Sequence, residues 1–206
     1  MNYIVVIFLG VVIFNGCSIQ NKVPPAAKYS LSVDLDVNAT QESLYKEQVL
    51  RIGPIESSPL LSGRNIYYSS DNGQSYHYIK ARWMENVNNQ LSNLIMRSIT
   101  KTAIFKDVVP LRSLAKNDLI LEINLYDFSQ VIHDDGTTTL HISLKMRLVE
   151  QYTRRVVTTQ LFEMEQIEQE GNVEGAIKGY NTLVSKLLSE MNSWLQQSCT
   201  VCKEEG

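Results

Sequence analysis

LHISLKMRLV, residues 140–149, alternates without a break, with Leu140, Ile142, Leu144, Met146 and Leu148 on one side and His141, Ser143, Lys145 and Arg147 on the other. Successive strand side chains point to opposite faces, so this period predicts a strand with one buried and one wet face. Before it, across the turn DDGTT, stands LILEINLYDFSQVI, residues 119–132, in which Leu119, Leu121, Ile123 and Leu125 alternate with Glu122 and Asn124. After it, a turn at residues 152–155 leads into a third run at 156–164. Three strands joined by short turns make an antiparallel meander, and a sheet with one apolar face needs a second layer to cover it.

Two helices supply that layer. Trp83, Val87, Leu91, Leu94, Ile95 and Ile99 recur at three- and four-residue steps with Asn, Gln and Ser between them. A last helix, capped by Asn172, carries Val173, Ile177, Tyr180, Leu183, Val184, Leu187, Leu188, Met191, Trp194 and Leu195 as one stripe, long enough to cross a sheet. Upstream, residues 29–33 (YSLSV) and 48–55 (QVLRIGPI) read as strands, the second ending near Pro54 because proline cannot donate to a ladder. Residues 34–46 read as loop and 104–110 (IFKDVVP) as a short strand. The expected class is α+β: an antiparallel-rich sheet with two amphipathic helices packed on one face.

Asn72-Gly73, between IYYSS and QSYHYI, is the signature of a type I′ two-residue hairpin turn. Counting outward from it opposes Ile66 to Ile79, Tyr67 to Tyr78, Tyr68 to His77 and Ser69 to Tyr76. One face then carries Tyr67, Ser69, Tyr76 and Tyr78, and the other Ile66, Tyr68, His77 and Ile79. Tyrosine has an apolar ring and a polar tip, so Tyr67, Tyr68, Tyr76 and Tyr78, with Trp83 beyond them, are candidates for contact with a partner or a lipid. The same rings are equally suited to packing on the sheet.

The chain begins differently. Residues 3–14, YIVVIFLGVVIF, are apolar and uncharged but too short to cross a hydrocarbon core of ~30 Å. Asn15-Gly16-Cys17 follows at once, the order of a lipoprotein export signal, in which the Cys17 thiol receives diacylglycerol and becomes the new N-terminus. Phe14 and Asn15 depart from the usual residues before such a cysteine, and no Lys or Arg precedes the apolar run. Ser18, rather than Asp, directs enteric-type sorting toward the outer membrane. The polar, Pro-bearing stretch after it suits a tether. The organisation expected is a signal at 1–16, a lipidated tether at 17–28, one domain at 29–198 and a tail at 199–206.

Net charge is −3 across 206 residues, and no basic cluster suggests a nucleic-acid partner. His77, His133 and His141 fall in no metal-binding spacing, and solvated strand histidines are the plainer reading. No nucleophile elbow or phosphate-cradling glycine turn is present, so neither cofactor nor enzymatic activity is expected. Cys199 and Cys202 form a CxxC after a helix rather than at its N-terminus, where thiolates are stabilised. A local disulfide curling the tail, or two free thiols, both fit.

The order of these features resembles the ABC-type transport auxiliary lipoproteins. Tyr29-Ser30-Leu31 resembles the family's YYTL start, and Val49-Leu50-Arg51-Ile52-Gly53-Pro54-Ile55 its L-x-V-G-P-V strand, with Pro59-Leu60-Leu61 after it. Asn65-Ile66-Tyr67-Tyr68 is similar to Q-I-V-x-R, and Tyr78 with Arg82-Trp83-Met84-Glu85 to Y-x-x-x-R-W-A-E. Met84 stands where Ala is usual, and the cysteine-bearing tail is foreign to the family. The resemblance implies a periplasmic accessory, anchored by lipid and directed to the outer membrane by its sorting residue Ser18, without catalytic residues. Its implied partners are the ABC permease, the ATPase and an MCE (mammalian cell entry) domain protein, which together move phospholipid or another hydrophobic molecule. Some such relatives form ring-like homo-oligomers. The alternative expectation is an assembly lipoprotein of another envelope machine, such as lipopolysaccharide export or secretion.

Overall fold

A computed structural model describes residues 25–35 and 43–201, with side chains through Ser198. In chain order the strands are β1 (Ala27–Tyr29), β2 (Val49–Ser57), β3 (Asn65–Ser70), β4 (Ser75–Trp83), β5 (Asp107–Val109), β6 (Leu119–Ile132), β7 (Thr138–Glu150) and β8 (Val156–Glu168). Helix α1 (Val87–Thr102) lies between β4 and β5, and α2 (Val173–Val201) closes the chain. A 3-10 turn at Pro59–Ser62 links β2 to β3.

All eight strands join one sheet built around β6. The meander β6–β7–β8 forms as its alternation predicts: β7 pairs with the whole of β6, and β8 with β7. The other edge of β6 is divided. β2 runs parallel to its first half, from Leu119 to Leu125, and β3 meets its last two residues, Val131 and Ile132.

The sheet is therefore mixed rather than antiparallel-rich. Four pairings are parallel (β1–β4, β2–β5, β2–β6 and β3–β6) and three antiparallel. Alternation of side chains assigns a strand its faces but not its partner. The parallel pairs arise from crossovers, chiefly through α1, that no local pattern marks.

Several boundaries differ for physical reasons. The first strand stops at Tyr29, because Leu31 N–H donates to Gln90 Oε1 of α1 (2.8 Å) and Ser32 N–H to Asn181 Oδ1 of α2 (2.9 Å). β2 does not end at Pro54; a bulge between Ile52 and Ile55 absorbs the proline and pairing resumes to Ser57. Gly53 is required there, since a Cβ would stand 2.9 Å from the Leu121 carbonyl oxygen. Helix α1 starts at Val87, after an Asn86 cap whose Oδ1 accepts from Asn89 N–H (2.9 Å), and Trp83 belongs to β4. Helix α2 is capped by Asn172, whose Oδ1 accepts from Gly175 N–H (2.8 Å), and its backbone runs three residues into the expected tail.

Both helices press on the face bearing Leu121, Ile123, Leu140, Ile142, Leu144, Met146 and Leu148, each at most 1% exposed. The α2 stripe from Tyr180 to Leu195 is buried against them, and its outer residues face water. Tyr45, from the stretch read as loop, is also core: its ring stacks on Phe105 at 5.4 Å.

Candidate functional site

The tyrosine hairpin is shifted by one residue from the register counted from Asn72-Gly73. Tyr68 opposes Tyr76, Tyr67 opposes His77 and Ser69 opposes Ser75. Only Gly73 of the tip has a positive φ (78°), whereas a type I′ turn needs two such residues. Asp71-Asn72-Gly73 accordingly form a three-residue loop, closed by Ser70 N–H donating to Gln74 O (3.1 Å) and Gly73 N–H to Ser70 O (2.8 Å). Asn72 Oδ1 accepts from Gln74 N–H at 3.0 Å, which favours this longer loop. A slip of one residue exchanges faces. Tyr68 therefore joins Tyr76 and Tyr78, and Tyr67 turns to the opposite side against His77 (ring centroids 6.0 Å).

Tyr68 is the middle of the cluster, its ring centroid 5.4 Å from Tyr76 and 4.7 Å from Tyr78. The cluster is graded from wet to dry. Tyr76 is 43% exposed and bonds through its hydroxyl to Gln74. Tyr78 lies deeper and donates to Gln130 Oε1 at 3.2 Å. Burial pushes the Tyr78 hydroxyl up to about 12, against a smaller lowering by Gln130. Tyr29, on neighbouring β1, donates to Glu174 Oε1 (2.8 Å); this bond to a carboxylate raises its pKa.

Trp83 is only 3% exposed. Its ring lies 6.1 Å from both Phe128 and Tyr180, and those two stack at 4.2 Å. It anchors the hairpin's base in the core and presents no contact surface, correcting the expectation that it lines one. A buried aromatic here does the structural work of joining β4, β6 and α2. Cys17, Ser18 and Cys202 lie outside the described residues, as does the side chain of Cys199.

The three histidines go to three places. His77 is exposed on the hairpin, and His141 Nδ1 stands 3.6 Å from Glu165 Oε2 across two strands. His133, read as a solvated strand residue, instead bridges two hairpins. Its Nδ1 lies 2.6 Å from Asp71 Oδ1 and its Nε2 2.7 Å from Thr139 Oγ1. Asp71 Oδ2 also accepts from Asp134 N–H at 3.1 Å, and the bond from His133 is the main reason its carboxyl titrates below the usual range. Among the described residues, no three His, Cys, Asp or Glu side chains gather closely enough to hold a metal.

Arg51 is the polar residue that sequence reasoning passed over. Leu50 and Ile52 point into the core, so Arg51 points away from the helices and takes hold of the loop that crosses β2 between β5 and β6. Its Nη1 donates to Leu111 O (2.8 Å) and Ser113 O (3.0 Å), Nη2 to Ala115 O (2.6 Å) and Nε to Asn117 Oδ1 (2.8 Å). A lone arginine inside an apolar strand pattern was the available signal, but its acceptors lie some sixty residues away.

A family model for the ABC-type transport auxiliary lipoprotein component matches residues 29–192. No curated protein is a significant sequence match. The solved structure of a Xanthomonas campestris protein of the family DUF330 is similar at TM-score 0.76 and 14% identity, over 87% of this chain and 99% of that one. Another, of an uncharacterised protein, gives TM-score 0.62 at 14% identity, over 83% and 99%. A lipoprotein from Neisseria meningitidis gives TM-score 0.40 at 12% identity, over 71% and 99%. The first two likenesses speak to the fold alone.

Proposed function

Since the chain belongs to the family of ABC-type transport auxiliary lipoprotein components, we propose that it is the lipid-anchored, periplasm-facing accessory of an MCE-type ABC system that moves phospholipid or another hydrophobic molecule across the envelope. The family match carries this reading, supported by the short apolar run at residues 3–14 and the Asn15-Gly16-Cys17 that follows it. Lipid on Cys17 holds the domain at a membrane, each buried CH₂ contributing ~0.8 kcal/mol, and Ser18 sends it to the outer membrane. The domain acts by docking rather than by catalysis. Tyr76, the wet end of the tyrosine cluster, with half-buried Tyr68 beside it, offers the MCE protein rigid rings that lose little side-chain entropy on contact.

Affinity capture of the full-length protein from cross-linked envelopes, beside Cys17→Ala and Tyr68→Ala/Tyr76→Ala copies, tests this. Recovery of an MCE-domain protein with its permease and ATPase is expected, with acyl chains on the Cys17 peptide. The tyrosine double variant should recover about tenfold less partner, the loss of one modest hot spot, while keeping its fold. Recovery of an export or secretion machine instead would replace transport with assembly, and an unmodified Cys17 would remove the anchor.

A further inference from the structure

At the end of the sheet where β6 begins and β7 ends, the β5–β6 loop reads Pro110-Leu111-Arg112-Ser113-Leu114-Ala115-Lys116-Asn117. Leu114 is 101% exposed and Leu111 48%. Loose loops often show such side chains, but this one is held in shape by the four Arg51 bonds and by Ala115 N–H donating to Ser113 Oγ (3.1 Å). The neighbouring β7–β8 turn adds exposed Tyr152 and Val156, and is tied in by Gln151 N–H donating to Asp118 O (2.8 Å). Arg112, Lys116 and Arg154 stand among these apolar side chains, and none makes an ion pair among the described residues. Of the acids near this end, Asp118 is engaged by Val49 N–H, Glu150 by Arg155 and Thr153, and Glu122, which lines a cavity with Leu111, by Arg147 (3.2 Å); Glu47, Glu56 and Asp107 stand there as well. The opposite end, with the hairpin tips and the start of α2, carries Asp71, Asp134, Asp135 and Glu170.

From this we infer that the 110–117 loop, with the Tyr152 turn beside it, docks the domain onto an anionic bilayer, and that the bilayer is the one holding the anchor. Protruding leucines with cations on either side match the layering of a membrane interface, where apolar side chains reach the acyl boundary and Arg or Lys meets phosphate. The charge division along the strands sets the orientation: an anionic surface attracts the loop end and repels the tips. The described chain starts at Pro25, eight residues beyond Cys17. That span reaches about 28 Å at most, which keeps the domain at its own membrane; Pro25 lies on the hairpin side, since Ala27 stands beside Ala81 of β4 and Tyr29 reaches Glu174, so the tether runs nearly extended along the domain when the loop meets that membrane. The host bilayer is thereby assigned on the anchor reading above.

The test uses the acylated full-length protein carrying Leu114→Cys with Cys199→Ser and Cys202→Ser, labelled at residue 114 with an environment-sensitive fluorophore. It is reconstituted into vesicles of phosphatidylethanolamine with phosphatidylglycerol, or of phosphatidylcholine alone, with a quencher in the acyl region. Quenching in the anionic vesicles is expected, and its loss in an added Arg112→Glu/Lys116→Glu background while flotation with the vesicles persists. Flotation reports the anchor separately; protein lacking acylation that still binds anionic vesicles through a quenched label would support the loop and refute the anchor. A label that stays in water in the anionic vesicles overturns the proposal. So does equal quenching in phosphatidylcholine, which would show insertion with no need of anionic lipid, shielding from water without quenching, which would indicate a second protein copy, or quenching only by a separately added vesicle, which would indicate a facing membrane.

Discussion

Asp71 and His133 are 62 residues apart in sequence and 2.6 Å apart in the fold, where they fasten the tip of one hairpin to the next. The histidine bond and the Asp134 amide both favour the charged carboxylate, so its folded pKa is depressed. A depressed carboxyl contributes stability that is fully present above its unfolded value, about 4, and is lost as pH falls through the folded value. Asp71→Asn should therefore lower the urea midpoint at pH 7, and the difference from the parent should be smaller at pH 3, below the carboxyl's unfolded value. Equal differences at both pH values would show that the residue acts through packing instead. Nothing in the sequence could have paired these two, because each lies in a turn whose local composition accounts for it completely.

Among the elements, the two hairpins share one design. Asp71-Asn72-Gly73 and Asp134-Asp135-Gly136 are both three-residue loops with glycine at positive φ, 78° and 86°. The Asn-Gly pair disclosed that a turn was there but not its length, and length sets the register of every tyrosine after it. The β5–β6 loop carries no Asn-Gly or Asp-Gly pair; Ser113 N–H donating to Pro110 O (3.0 Å) closes a turn in it, and Arg51 holds three of its carbonyls and Asn117. Arg51→Met keeps the stem's bulk and removes four donors, so amide exchange across residues 111–117 should accelerate with a stability loss of about 1–3 kcal/mol. Unchanged protection there would mean that the loop holds its shape without the arginine.

Across the whole molecule, a single apolar cluster runs from Leu31 to Leu195 and takes in both helices and the inner face of the sheet. Trp83, Phe128 and Tyr180 tie three of its elements together. One core predicts one cooperative transition. Scanning calorimetry should give a single peak whose van't Hoff and calorimetric enthalpies agree, whereas two peaks would mean that the meander with α2 unfolds apart from the hairpin with α1.

The meander, the helical stripes from Val87 and Val173 and the inward residues of β7 followed from sequence alone, because each depends on a period of two or 3.6 that neighbouring residues impose on one another, and the Asn172 cap followed because it is a bond made within one turn. Family membership was also legible, in the Arg82-Trp83 stretch and the strand at Val49-Leu50-Arg51. Tertiary structure alone decided the parallel partners of β6, the face taken by Tyr68, the burial of Trp83, the Asp71–His133 bridge and the acceptors of Arg51. Those depend on which distant segments meet, a choice made by the packing of the whole core and by the geometry of crossovers, to which local periodicity is indifferent.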